Sequence, residues 1–233
     1  AFGQSLVAER LVTTLPGRFM FVPGVGWYTF DGHRWDDSSG LAEKQAEQAV
    51  VTTARTMISA AATITDTSER EAELKLAHRT LSSDGQLRGV IAYLSRHPDV
   101  LTGINALNSD PLLLNCVNGT LDLRTRELRP HDYRDRLTKI AGANYTPDAV
   151  GPRWERFLCE ALGDPGLADA LRRLLGGPGL MGRVMEHVLP VIYGPGGSGK
   201  GTFINAIAET FGDYAIAAEP DLVMKRAGAH PTG

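Results

Sequence analysis

Gly194-Pro195-Gly196-Gly197-Ser198-Gly199-Lys200-Gly201-Thr202 fits the phosphate-binding pattern G-x-x-x-x-G-K. Before it, Val188-Leu189-Pro190-Val191-Ile192-Tyr193 is a short apolar, β-branched run that predicts a buried strand. After it, Phe203, Ile204, Ile207 and Phe211 recur at helical spacing, and Gly212 stops the pattern. Strand, glycine loop and helix form the context in which such a loop works. Glycines let backbone N–H groups converge on phosphate oxygens, the helix N-terminus adds positive potential, and Lys200 reaches the β- and γ-phosphates. The stretch therefore predicts a first βα unit that binds ATP, with Mg2+, through residues 194–202. A bare G-x-x-x-x-G-K arises by chance in roughly one chain in ten of this size, so the flanks carry much of the weight. Gly201 stands where most such loops place a magnesium-binding Ser or Thr, and Thr202 follows one position later. The metal ligands are thus left unassigned.

The rest of the chain has ordinary globular chemistry. Its 233 residues are 42% hydrophobic and 22% charged, with a net charge of −3. That balance excludes a protein coated in positive charge while permitting a local basic groove. Cys116 and Cys159 lie within apolar patterns and read as buried thiols of a reducing compartment. No apolar run reaches the ~18 residues that span a bilayer, and no leader pattern opens the chain, so a cytoplasmic location is expected. The absence of an initiating methionine, the loop-like end at Gly233 and the short stretch after the loop lead us to expect a truncated motor. Its magnesium-handling acidic residue would lie beyond Gly233.

Residues 1–15 predict a short amphipathic helix. Arg18–Val22, Trp27–Phe30 and His33–Trp35, separated by Pro23-Gly24-Val25-Gly26 and Asp31-Gly32, predict a three-stranded meander. Its aromatic residues are expected to pack across strands rather than to stack bases. Helices are expected over 40–64, from a Ser68 cap with Glu71 three residues on, and over 83–95, ended by His97-Pro98. His78 and His97 read as surface or cap residues, and His131 carries no catalytic assignment. Asn118-Gly119 predicts a tight turn between β runs, with Leu121, Leu123 and Leu128 in alternation. Arg124 to Lys139 holds six Lys/Arg against three acidic residues. Internal ion pairing accounts for that stretch, with a DNA-backbone contact as the alternative. A linker is expected at 147–152, then short helices over 154–162 and 167–175, the second broken by Gly176-Gly177-Pro178-Gly179.

Several segments together resemble one family. They are Val22-Pro23-Gly24-Val25-Gly26-Trp27 with Asp31-Gly32-His33-Arg34-Trp35, and Leu114-Asn115-Cys116-Val117-Asn118-Gly119-Thr120-Leu121-Asp122-Leu123 with Leu128-Arg129-Pro130-His131-Asp132. Leu137-Thr138-Lys139-Ile140, Pro152-Arg153-Trp154-Glu155-Arg156-Phe157-Leu158 and the phosphate loop follow in order. In that order they resemble the phage and plasmid primase/helicase proteins related to the poxvirus nucleoside triphosphatase, whose motor belongs to helicase superfamily 3.

The resemblance implies an α+β N-terminal region, mostly helical with small β hairpins, followed by the first βα unit of an AAA+-like α/β P-loop domain. It implies a small meander over 1–38, a helical region with a hairpin over 39–150, a collar-like helical segment over 151–186 and the start of the motor over 187–233. It further implies ATP hydrolysis, single-stranded or forked DNA as partner, a hexameric homo-oligomer in a bacterial host's cytoplasm, and often an upstream primase. Gly194, Gly199 and Lys200 would cradle the phosphates, with Thr202 near the nucleotide and Lys200 acting in catalysis. Walker B, sensor and arginine-finger residues are expected beyond Gly233. Two alternatives stay open: a non-catalytic oligomerisation or DNA-docking module, and a nucleotide kinase.

Overall fold

The computed structural model describes residues 2–37, 40–182 and 187–219. The described fold is mixed α+β, about half helical, with two three-stranded sheets. The chain divides into two compact units: residues 1–115 with 119–139, and residues 116–118 with 140–233.

The first unit is built around a small sheet that is covered on both faces. Helix α1 (Phe2–Thr14) leads into β1 (Phe19–Val22), β2 (Gly26–Phe30) and β3 (Trp35–Asp36), paired antiparallel in chain order. Strand side chains alternate between faces. Phe19 and Trp27 accordingly join the helical core, with Phe21 packed against it, while Met20, Val22, Tyr28 and Trp35 form a second cluster. The Phe21 and Trp27 rings meet at 5.1 Å. The meander aromatics are therefore core residues, as cross-strand packing predicts, and do not form a stacking platform. The outer edge of β1 is also closed: Phe21 N–H donates to Val100 O, and Thr102 N–H donates to Phe21 O, both at 2.9 Å.

Helices α2 (Ala42–Ala61), α3 (Thr67–Leu81) and α4 (Asp84–Leu94) complete this unit. On α2 the buried residues Ala42, Ala46, Val50, Thr53, Ala54, Met57 and Ala61 recur every three or four positions, so one stripe faces the core. Burying a side chain such as Val50 or Met57 contributes about 1.5–3 kcal/mol. Helix α3 starts two residues earlier than the Ser68 capping pattern predicts. Asp66 is its cap, accepting the Glu69 N–H at 2.8 Å. An N-cap needs extended backbone and an acceptor aimed at the first turn, and Asp66 meets both conditions. Ser83 caps α4, starting it where the sequence places it.

The second sheet runs β4 (Leu113–Cys116), β5 (Gly119–Asp122), β6 (Glu127–Arg129) in that order. Asn115, with no solvent exposure, donates from Nδ2 to His33 O (3.0 Å) and Lys139 O (2.9 Å), and its Oδ1 meets His131 Nδ1 at 2.8 Å.

In the second unit, Asn118 grips the Tyr145 backbone reciprocally, its Nδ2 and Oδ1 each making a 2.9 Å bond. Helices α5 (Pro152–Leu162) and α6 (Pro165–Leu174) pair through buried Leu158 and Ala168 and the Arg172–Glu155 ion pair. Gly176–Gly179 do not break α6 at once. They continue it through a five-residue π turn, Leu175–Gly179, with Pro178 inside. Helix α7 (Lys200–Phe211) ends on Gly212, as the apolar spacing predicts. Among the described residues, no helix is long and apolar enough to cross a membrane.

Candidate phosphate-binding site

The glycine loop leads directly into α7. Gly194, Gly197 and Gly199 all have positive φ, at 155°, 79° and 83°. Gly199 is the residue before the helix, in left-handed conformation, and no side chain caps the first turn of α7. The N–H groups of that turn thus remain available to an anion, with the helix dipole behind them.

Lys200 folds back over the loop. Its Nζ donates to Gly194 O and Pro195 O, each at 2.8 Å, and to Ser198 Oγ at 3.1 Å. These carbonyls hold the ammonium at the loop's centre, where the phosphate oxygens of a nucleotide would replace them as acceptors.

Helix α5 supplies a wall that sequence reasoning missed. A cavity of about 180 Å3 is lined by Phe157, Leu158 and Ala161 of α5 together with Gly194, Ser198 and Lys200. A Cβ on Gly199 would stand 2.9 Å from the Phe157 ring. Trp154 stacks on Phe203 of α7 at 5.7 Å and 15°. The signal was present as two aromatics, three apart, on one face of a short helix, but only packing ties them to the loop. The cavity is small for a complete nucleotide, since sites for drug-sized ligands usually enclose ~300–1,000 Å3.

The remaining predicted positions lie differently. Pro195, Gly196 and Gly197 form the exposed tip, and Gly201 and Thr202 lie on the exposed side of the first turn. Gly201 offers no side-chain ligand. Among the described residues no group of three or more His, Cys, Asp or Glu could hold a metal ion. Magnesium, if brought by a nucleotide, would take phosphate oxygens and water as ligands rather than side chains of this loop.

Two expectations near the loop are corrected. Val188–Tyr193 belongs to no strand among the described residues; Leu189, Val191 and Tyr193 are 77%, 72% and 90% exposed. A strand exists only through ladder partners, and β-branched composition cannot provide them. Cys116 is buried but Cys159 is exposed. It follows buried Leu158 by one residue, about 100° round the α5 axis, and so turns away from the packed stripe. Met181–His187, expected to lead into the strand, falls partly outside the described residues.

The basic stretch is largely paired. Arg124 bonds Asp110 (2.7 Å) and Asp122, Arg129 makes a bidentate pair with Asp135 (2.7 and 2.8 Å), and Arg134 meets Asp132 at 3.3 Å. Hydrogen bonding to Asp135 pushes the Arg129 guanidinium further up, against a smaller opposing effect of burial. Internal ion pairing, expected from the sequence, describes most of these arginines.

No curated protein matches the chain significantly. A family model described as D5 N terminal like matches residues 8–163, from α1 to the end of α5 and short of the phosphate loop. That match covers more than half of the chain and includes the Asn115–Leu123 motif with its two structural asparagines. The chain belongs to the D5 N-terminal-like family, the N-terminal region of phage and viral primase-helicases.

Proposed function

We propose that this chain is the N-terminal and early-motor part of a phage-type replicative DNA helicase or primase-helicase that hydrolyses ATP to unwind DNA. One observation carries the reading. In a chain of this family, a glycine loop with Lys200 at its centre opens directly onto an uncapped helix N-terminus. Residues 194–202 would receive the phosphates, with Gly194, Gly199 and Lys200 closest to them. Residues 187–211 would form the first βα unit of the motor once a neighbouring strand pairs with 188–193. The four-segment division at 38, 150 and 186, the ring of identical subunits and the DNA partner belong to the same reading.

Lys200 would leave the Gly194 and Pro195 carbonyls for the β- and γ-phosphate oxygens, offsetting charge that builds in the transition state. Magnesium, when bound, neutralises and orients the same phosphates. Helix α5 would exclude water from one side through Phe157 and Leu158. In the complete protein, Lys200→Ala should abolish ATP-dependent strand separation and leave the helical unit folded. Unwinding at the wild-type rate would exclude this role for Lys200.

Among the described residues 188–193 has no ladder partner, and this favours a second reading, a non-catalytic assembly or DNA-docking module. ATP binding without turnover, by a chain that still self-associates, would mark that case.

A further inference from the structure

The first unit contains a second cavity, of about 590 Å3, that the phosphate loop does not use. Its walls come from the C-terminal half of α1, the turn at Pro16–Gly17, β1, β3, and the segments 97–102 and 133–136. The size falls within the range of small-ligand sites. Six residues set its polarity: Glu9, His97, Asp99, Tyr133, Arg134 and Arg136.

Charges of opposite sign stand at two places in the lining, because Glu9 comes eight residues before Gly17, and it is Gly17 that packs on Tyr133. At one, the Arg134 guanidinium lies 5.0 Å from the centre of the Tyr133 ring, which holds this flat cation against the wall. The ring is fixed in turn, because Gly17 packs so closely that any Cβ there would stand 2.3 Å from it. Arg134 shares its charge with Asp132. Arg136, exposed and with left-handed backbone (φ 52°), makes no ion pair among the described residues. At the other, His97 lies 3.9 Å from both Glu9 and Asp99. Its Nδ1 accepts the Asp99 N–H at 3.2 Å, so in the neutral ring the proton sits on Nε2, the nitrogen nearest Glu9. Val12, Met20 and Trp35 add apolar surface to the lining.

A ligand matching this arrangement has an anion at one end, a flat body, and an amino donor at the other. We infer that the cavity binds one nucleotide unit, with its phosphate on Arg134 and Arg136 and the amino edge of its base toward Glu9 and Asp99. Guanidinium groups favour phosphate through paired N–H donors, and carboxylates accept from base amino groups such as cytosine N4. The inference rests on the proposed DNA role only for the source of that unit, a single strand, and it does not involve Lys200.

The test is anisotropy titration of labelled oligo(dC) and oligo(dT) with the full chain, competed by free dCMP. Arg134→Ala/Arg136→Ala should weaken oligo(dC) binding at least tenfold and flatten its salt dependence. The charge-matched Arg55→Ala/Arg88→Ala chain, altered on exposed helix faces away from the cavity, should change it less than twofold. Oligo(dC) should bind more tightly than oligo(dT), and Glu9→Gln/Asp99→Asn should erase that preference. Affinity rising with strand length identifies the single strand as the source; competition by dCMP as strong as by the oligomer identifies a free nucleotide at the same site. No binding, equal loss in both arginine pairs, or no preference for dC would each overturn the inference. The same titration on Lys200→Ala should be unchanged, so failure of the phosphate-loop reading leaves this result readable on its own.

Discussion

Asn115 Oδ1 and His131 Nδ1 lie 2.8 Å apart, and the same buried amide holds the carbonyls of His33 and Lys139. One side chain thus ties the β4 strand to three distant segments of the first unit. Removing it deletes these hydrogen bonds, each contributing about 0.5–1.5 kcal/mol, and empties the buried space that the amide fills. Asn115→Ala should therefore destabilise the chain by about 2–4 kcal/mol in urea unfolding, with an unchanged slope. A loss under ~0.5 kcal/mol would show that the amide is not a structural hub.

Gly199 meets two demands, left-handed backbone and contact with the Phe157 ring, whereas Gly197 meets only the first. A left-handed non-glycine residue costs about 1–2 kcal/mol. Gly199→Ala should cost more stability than Gly197→Ala, and Phe157→Ala should recover part of the difference in a double-mutant cycle. Equal effects at the two glycines would show that α5 does not press on the loop.

The two cysteines should separate in a thiol titration. Cys159 is exposed on α5, while burial pushes the Cys116 thiol up and keeps it protonated. A disulfide reagent at pH 8 should label one thiol quickly and the second only on unfolding, and Cys159→Ser should remove the fast phase. Two fast thiols would contradict the burial of Cys116.

Stability should fall on the alkaline side. Burial raises the Tyr28 hydroxyl, reinforced by the Asp37 charge and hydrogen bond, and burial alone raises Cys116. Both acids ionise at lower pH in the unfolded chain, so their contribution is present below the unfolded values and is lost as pH rises through the folded ones. Unfolding free energy should decline above about pH 9, by up to about 1.4 kcal/mol per pH unit for each group. Tyr28→Phe should flatten the decline, and an unchanged profile would exclude Tyr28 as a contributor.

What could be read from sequence followed local chemistry. The α2 stripe, the Ser83 cap, the meander and the stop at Gly212 all depend on residues near one another in the chain. Misreadings arose where a neighbour decided. Val188–Tyr193 has strand composition but no ladder partner among the described residues, and Cys159 lies off the packed stripe of its helix. Asp66 and Ser68 both offer capping oxygens; backbone geometry selects Asp66. The Phe157 wall and the Asn115 bonds to His33 and Lys139 join residues 24 to 82 positions apart, or separate helices, and no spacing rule reaches that far.

The most direct test of the central claim is calorimetric titration of the chain with ATP and magnesium, for wild type and Lys200→Ala. Our account predicts saturable binding to the wild-type chain, weakened at least tenfold by the substitution, with unchanged far-ultraviolet circular dichroism. Equal affinity in the two proteins, or no binding to either, would contradict the assignment of residues 194–202 as a nucleotide phosphate site.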